Sequence, residues 1–187
     1  MWAYFGATRF ADLSARHDAT ACWKPVRLGE LFAAVGALCL GQRSAARQAN
    51  RLQEIARWAA HLGMRVNPHP QFFPTDPDPA CRLISAAVLA GADGGALAQA
   101  CLAACWRDQR DIADAHTLVA LADGCGLDGR ALLRQAGSAE ATAQLDRWTG
   151  EAIARGALGS PSYLVDEQMF FGQDRLDFLD RYLSQGA

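Results

Sequence analysis

Strand-like sequence occurs at only two places in this chain, one near each end, and everything between them is written in a helical period. Thr20–Val26 (TACWKPV) reads as a strand broken by Pro25 at its far end. Tyr163–Asp166 and Gln168–Phe171 read as two short strands joined by a tight connection at Glu167. Trp2–His17 is a helix with Arg9, Asp12 and Arg16 on one face and Phe10 and Leu13 on another. From Glu30 the pattern is helical and stays so. Gln42–Leu62 carries Leu52, Ile55, Ala59 and Leu62 at helical spacing and stops at Gly63. After the proline-rich bend Asn67–Pro79 come helices over Ala80–Ala90, Ala96–Gln109, Asp114–Asp123, Asp128–Gln135 and Ser138–Arg155. Asp114, Asp128 and Ser138 stand at N-caps, and Gly91, Gly124 and Gly156 near C-termini.

This order constrains the architecture. The two ends meet in one small sheet, with strands near 20–26, 162–166 and 168–171, and the helical block is inserted into it. The expected class is α/β, with one discontinuous domain of residues 1–29 and 148–187 and a helical insertion of residues 30–147.

With 187 residues the chain can bury a substantial core. A formal net charge of −2 and the lack of a basic cluster argue against a nucleic-acid partner. The longest apolar run, Leu31–Leu40, is too short to span a bilayer, and no secretory leader pattern is present. Six cysteines, at 22, 39, 81, 101, 105 and 125, form no CxxC pair and no zinc spacing. Cys101 and Cys105 share a helix face, where small apolar packing is the simpler reading than redox or metal chemistry. No metal is expected, and a reducing, cytoplasmic compartment is.

Two residues near the C-terminal end call for an explanation. Pro161 directly precedes a strand whose ladder it cannot donate to, which suits a cis bond in a sharp turn. Asp174 opens the last helix three residues before Asp177, and its plain reading is an N-cap.

The stretch from Gly159 to Tyr182, GSPSYLVDEQMFFGQDRLDFLDRY, resembles the C-terminal signature of the 2-hydroxychromene-2-carboxylate isomerases. These are relatives of the kappa-class glutathione transferases and, more distantly, of DsbA. Further matching phrases are Trp23-Lys24-Pro25-Val26, Leu28-Gly29 and Leu31-Phe32, the Ile55–Ala59 helix, Phe73-Pro74, and Trp106 with Arg110–Asp114. In order and spacing they cover essentially the whole chain.

The resemblance implies a thioredoxin-like sheet with a large all-helical insertion, and glutathione as cofactor. It places glutathione at Ser160, Pro161, Gly172, Gln173 and Asp174. The backbone of Ser160 would pair with the cysteinyl unit. The helix start at Asp174 would hold the γ-glutamyl end, with Gln173 donating to its carboxylate. Trp2, Phe32, Arg47, Phe73 and Pro74 would border the substrate and glutathione pocket, Arg47 as a carboxylate partner. As a plain helix residue Arg47 is a solvated cation beside Arg43, Arg51 and Arg57, and each aromatic is a core residue. The implied partners are glutathione and a small aromatic substrate, with no membrane or nucleic acid; a homodimer is left open.

The implied reaction opens a cyclic hemiketal, adds glutathione thiolate to a conjugated double bond, lets the bond rotate, and expels the thiol as trans-o-hydroxybenzylidenepyruvate forms. Three departures stand out. Gly36-Ala37 lacks the asparagine that often follows this glycine, and Asp76-Pro77 replaces a small polar pair. The serine whose hydroxyl faces the glutathione sulfur, with the strand before it, is expected upstream of Met1, which leaves no catalytic residue to name within the chain. A truncated start, poor stability and lost activity are the corresponding expectations. Two alternatives follow: a glutathione-binding protein without catalysis, and a DsbA-type dithiol oxidoreductase, which would need a CxxC near Ala3.

Overall fold

The computed structural model describes residues 1–185. The first helix, α1 (Trp2–Arg16), spans the expected segment and buries Tyr4, Phe5, Gly6 and Leu13. Helices α2 (Leu28–Ala34) and α3 (Ala45–Leu62) follow. Ser44 caps α3 by accepting the Arg47 N–H, and Gly63 ends it at φ 62°, the left-handed conformation that glycine adopts without a Cβ penalty.

The insertion helices are α4 (Asp78–Leu89), α5 (Gly94–Trp106), α6 (Ala115–Gly124), α7 (Gly129–Ala136) and α8 (Ala139–Ala154). The expected caps are in place. Asp114 accepts the Thr117 N–H at 2.7 Å, Asp128 the Ala131 N–H at 2.9 Å, and Ser138 the Ala141 N–H at 3.1 Å. Gly91 and Gly156 turn the chain at positive φ, but after α6 that conformation falls on Gly126 rather than Gly124. Ala80, Leu83, Ile84 and Ala87 form one face of α4 and pack on Leu97, Cys101, Leu118, Ala122 and Leu132. Alanine dominates this core, which lets α4, α6 and α7 approach closely.

The chain ends with a hairpin, β1 (Ser162–Val165) and β2 (Gln168–Phe171), and with α9 (Leu176–Ser184). The strands pair antiparallel, Tyr163 opposite Phe170 and Leu164 opposite Met169. Asp166 takes the positive φ of 50° that the two-residue turn needs, a conformation aspartate tolerates. Leu13 of α1, Tyr163, Leu176 and Leu179 form the core beneath the hairpin.

By packing, the chain forms two compact units. One holds Met1–Ala21, Leu28–Pro68 and Ile153 onward; the other holds Cys22–Arg27 and His69–Ala152. The sequence divides the chain by element type, 1–29 with 148–187 against 30–147; packing groups α2 and α3 with the chain ends.

Among the described residues the sheet has two strands, and Thr20–Val26 is not one of them. The correction has a physical cause. A strand exists only where another backbone pairs with it, and Pro25 has no N–H to offer. Side chains hold this segment instead. Trp23 lies against Gly95, where a Cβ would come within 2.5 Å of the indole nitrogen. Lys24 pairs with Glu151 at 2.6 Å, the Arg27 N–H donates to Thr149 at 3.0 Å, and the Arg27 guanidinium pairs with Asp78 and Asp146. No helix is long and apolar enough to cross a membrane, and no metal-binding cluster occurs among the described residues.

Candidate functional site

The hairpin brings two separate pieces of sequence side by side. The chain enters β1 through Gly159-Ser160-Pro161 and leaves β2 through Gly172-Gln173-Asp174. The Gly172 N–H donates to the Pro161 carbonyl at 2.9 Å and extends the ladder by one rung. The Ser160–Pro161 peptide is cis, as expected, and so is Phe73–Pro74. The Ser162 hydroxyl turns back to the Gly159 carbonyl at 2.8 Å. The backbone N–H and C=O of Ser160 make no hydrogen bond among the described residues, so an extended peptide can pair with them.

After Gly172, which sits at φ 102°, the chain makes a single 3₁₀ turn, Gln173–Arg175, before α9 begins. That turn overturns the capping role expected of Asp174. The N-cap of α9 is Arg175, and neither the turn nor the helix has a side-chain cap. The Asp174 carboxylate instead pairs with Arg175 at 2.8 Å, both side chains being largely exposed, and folds back over Gly172. A Cβ on Gly172 would lie 2.4 Å from its Oδ1. Asp174 therefore stands at the rim of the turn, its charge available to a ligand.

Gln173 is 2 % exposed, and its side chain reaches inward. Its Oε1 accepts from Arg9 Nη1 at 2.6 Å, and the same nitrogen reaches its backbone carbonyl at 3.2 Å. The Arg9 guanidinium in turn lies 6.0 Å from the centroid of the Trp58 ring. Beside this contact sits the Tyr163 hydroxyl. It is buried, has no hydrogen-bond partner among the described residues, and lies 2.4 Å from where a Cβ on Gly6 would be. Burial pushes this phenol well above the ordinary tyrosine range; the Arg9 charge opposes that shift and the Asp174 charge adds to it. Tyr163 thus stays a neutral donor. Arg9 was legible only as one residue of a polar helix face, since nothing in local sequence connects it to Gln173.

Of the residues expected around a pocket, three lie in the first unit. Trp2 is half-buried with its ring 6.1 Å from Phe5. Phe32 lies near Gly159, where a Cβ would come 3.4 Å from its ring, and the Arg43 guanidinium lies 6.0 Å from its centroid. Arg47 is exposed, and its backbone N–H donates to the Ser44 hydroxyl. The arginine of α3 that is drawn inward is Arg51, whose pKa is lowered by burial and then by the Arg43 charge. Phe73 and Pro74 lie in the second unit, where Phe73 packs on Trp106 at 4.5 Å between centroids.

A family model, the DSBA-like thioredoxin domain, matches residues 1–184. The chain belongs to that family. As a DSBA-like domain it carries the thioredoxin-like layout with a helical insertion; among the described residues its sheet has two strands, and its sequence has no CxxC. Among curated proteins it is 29% identical to a 2-hydroxychromene-2-carboxylate isomerase of Sphingobium xenophagum, over 97% of this chain and 92% of that protein. A solved structure of a 2-hydroxychromene-2-carboxylate isomerase superposes with a TM-score of 0.81 at 21% identity, covering 98% of this chain and 89% of the other. The second likeness speaks for the fold.

Proposed function

We propose that this chain is a glutathione-dependent cis–trans isomerase acting on 2-hydroxychromene-2-carboxylate, or a related intermediate of aromatic breakdown, to give trans-o-hydroxybenzylidenepyruvate. The full-length likeness to the Sphingobium isomerase names the reaction. The observation that carries the glutathione part is the rung between Gly172 and Pro161, which joins the two stretches expected to hold glutathione into one surface.

The residues present fit the tripeptide. Ser160 offers an unpaired N–H and C=O to its cysteinyl unit. The first N–H groups of the Gln173–Arg175 turn have no partner within the turn and suit the γ-glutamyl carboxylate. Asp174, exposed beside them, suits the γ-glutamyl ammonium. When bound, glutathione supplies a thiol nucleophile that adds reversibly to the substrate double bond and so frees it to rotate. The protein's part is to fix the peptide, keep its thiol near the substrate and favour the thiolate, whose free pKa is about 8.5.

A dithiol oxidoreductase, the activity that the family name brings to mind, has less support. The chain has no CxxC, and burial pushes the Cys81 and Cys101 thiols up to about 12. A cytoplasmic location accords with six free cysteines. The test is a titration with glutathione followed by thiolate absorbance, paired with isomerisation of the chromene. Saturable binding with turnover supports the reading; binding without turnover reduces the chain to a glutathione-binding protein; no binding removes the cofactor.

A further inference from the structure

We propose that Arg9 is a positioning residue for the γ-glutamyl end of the ligand site: by holding Gln173 from behind, it fixes the Gly172–Asp174 turn in the shape that binds. This rests on the glutathione reading above and adds a residue, 164 positions away in sequence, on which that reading depends.

The argument begins with what the turn lacks. Its N-terminus has no side-chain cap, Gly172 is intrinsically free at φ 102°, and the Asp174 carboxylate is tied only to its exposed neighbour Arg175. Left to itself, such a turn would sample many shapes. One nitrogen of Arg9 touches both the Oε1 and the backbone carbonyl of Gln173, so it constrains the side chain and the main chain of the turn's first residue together. Because Gln173 is buried and its amide oxygen is occupied, the side chain is a tether for the turn.

The same contact explains why α1 comes so close. Gly6, three residues before Arg9, leaves room for the Tyr163 hydroxyl and for Gln173, whose Cβ would be 3.0 Å from a side chain there. The buried and unpartnered Tyr163 hydroxyl therefore faces the same spot, a polar group beneath a turn that is proposed to bind a polar ligand. Arg9, Gln173 and Tyr163 form a polar support on the inner side of the turn, and Asp174 lies on the outer side.

The experiment is calorimetric titration of the wild-type chain and of Arg9→Met, Arg9→Lys and Gln173→Ala with three probes. Glutathione and γ-glutamylcysteine carry the γ-glutamyl group, and cysteinylglycine lacks it. Arg9→Met is expected to weaken the first two by about tenfold, the low end of what losing a partner behind a ligating group costs at metal sites. It leaves cysteinylglycine unchanged. Arg9→Lys restores part of the loss, and Gln173→Ala, which keeps the charge, reproduces the selective loss should Arg9→Met fail to fold. An equal loss for all three probes, or no loss, overturns the positioning role while leaving the glutathione reading intact. A wild-type chain that binds none of them overturns both.

Discussion

The hydroxyl of Tyr163 occupies the place where Gly6 would carry a side chain, 2.4 Å from an ideal Cβ. Alanine at position 6 therefore collides with a buried group that no hydrogen bond holds. Gly6→Ala is expected to destabilise by about 1–3 kcal/mol, as overpacking does. Tyr163→Phe, which removes an unsatisfied buried hydroxyl, is expected to be neutral or stabilising by about 1 kcal/mol. Combined, the two should recover part of the loss, because the closer of two contacts is gone while the 3.0 Å approach to the Gln173 Cβ remains, and alanine gains roughly 1 kcal/mol over glycine within a helix. Denaturant midpoints for the four proteins check this; additive effects would contradict the contact.

Asp174 tests the site apart from the fold. Among the described residues its carboxylate caps no helix and pairs with exposed Arg175 alone. Asp174→Ala should change stability by no more than about 0.5 kcal/mol, the usual range for a surface substitution. Glutathione binding should weaken roughly ten- to hundredfold, as when a hydrogen bond to a charged group is lost. Thermal melts and calorimetry on the same samples separate the two effects. Equal losses in both would restore the capping role.

The thiols supply a third prediction. A thiol reacts as thiolate, so raising its pKa lowers the reactive fraction at neutral pH and slows alkylation. Cys81 and Cys101 are pushed up to about 12 by burial, and Cys105 and Cys125 upward as well, whereas Cys22 and Cys39 are exposed. Mass spectrometry of the folded protein in an alkylating reagent should show Cys22 and Cys39 modified first, with Cys81 and Cys101 following only on unfolding. Rapid modification of Cys81 or Cys101 in the folded chain would reopen the oxidoreductase alternative.

The sequence showed whatever depends on neighbouring residues. Helical spacing marks α1 and the end of α3 nearly to the residue, Asp114, Asp128 and Ser138 cap where they stand, and the hairpin follows from two short runs around Asp166 and Glu167. What was hidden depends on distant residues. Thr20–Val26 has strand composition, but pairing is decided by another segment, and none of the described residues pairs with it. Asp174 looks like a cap until a 3₁₀ turn shifts the start of α9 to Leu176. That Gln173 bonds to Arg9 is not readable locally, because Arg9 lies at the other end of the chain. On α3, Arg47, Arg51 and Arg57 look alike in sequence, and only packing distinguishes half-buried Arg51 from exposed Arg47.

The central claim concerns glutathione as the working nucleophile, and one rate comparison addresses it. Conversion of 2-hydroxychromene-2-carboxylate to trans-o-hydroxybenzylidenepyruvate is followed by absorbance with the chain alone, with glutathione, and with S-methylglutathione. The last keeps every group proposed to meet Ser160 and Asp174 and lacks the free thiol. Against the loss of activity expected from the missing serine, the account predicts saturable acceleration by glutathione, none by S-methylglutathione alone, and competitive inhibition when both are present. Equal turnover in all three conditions, or none in any, would contradict it.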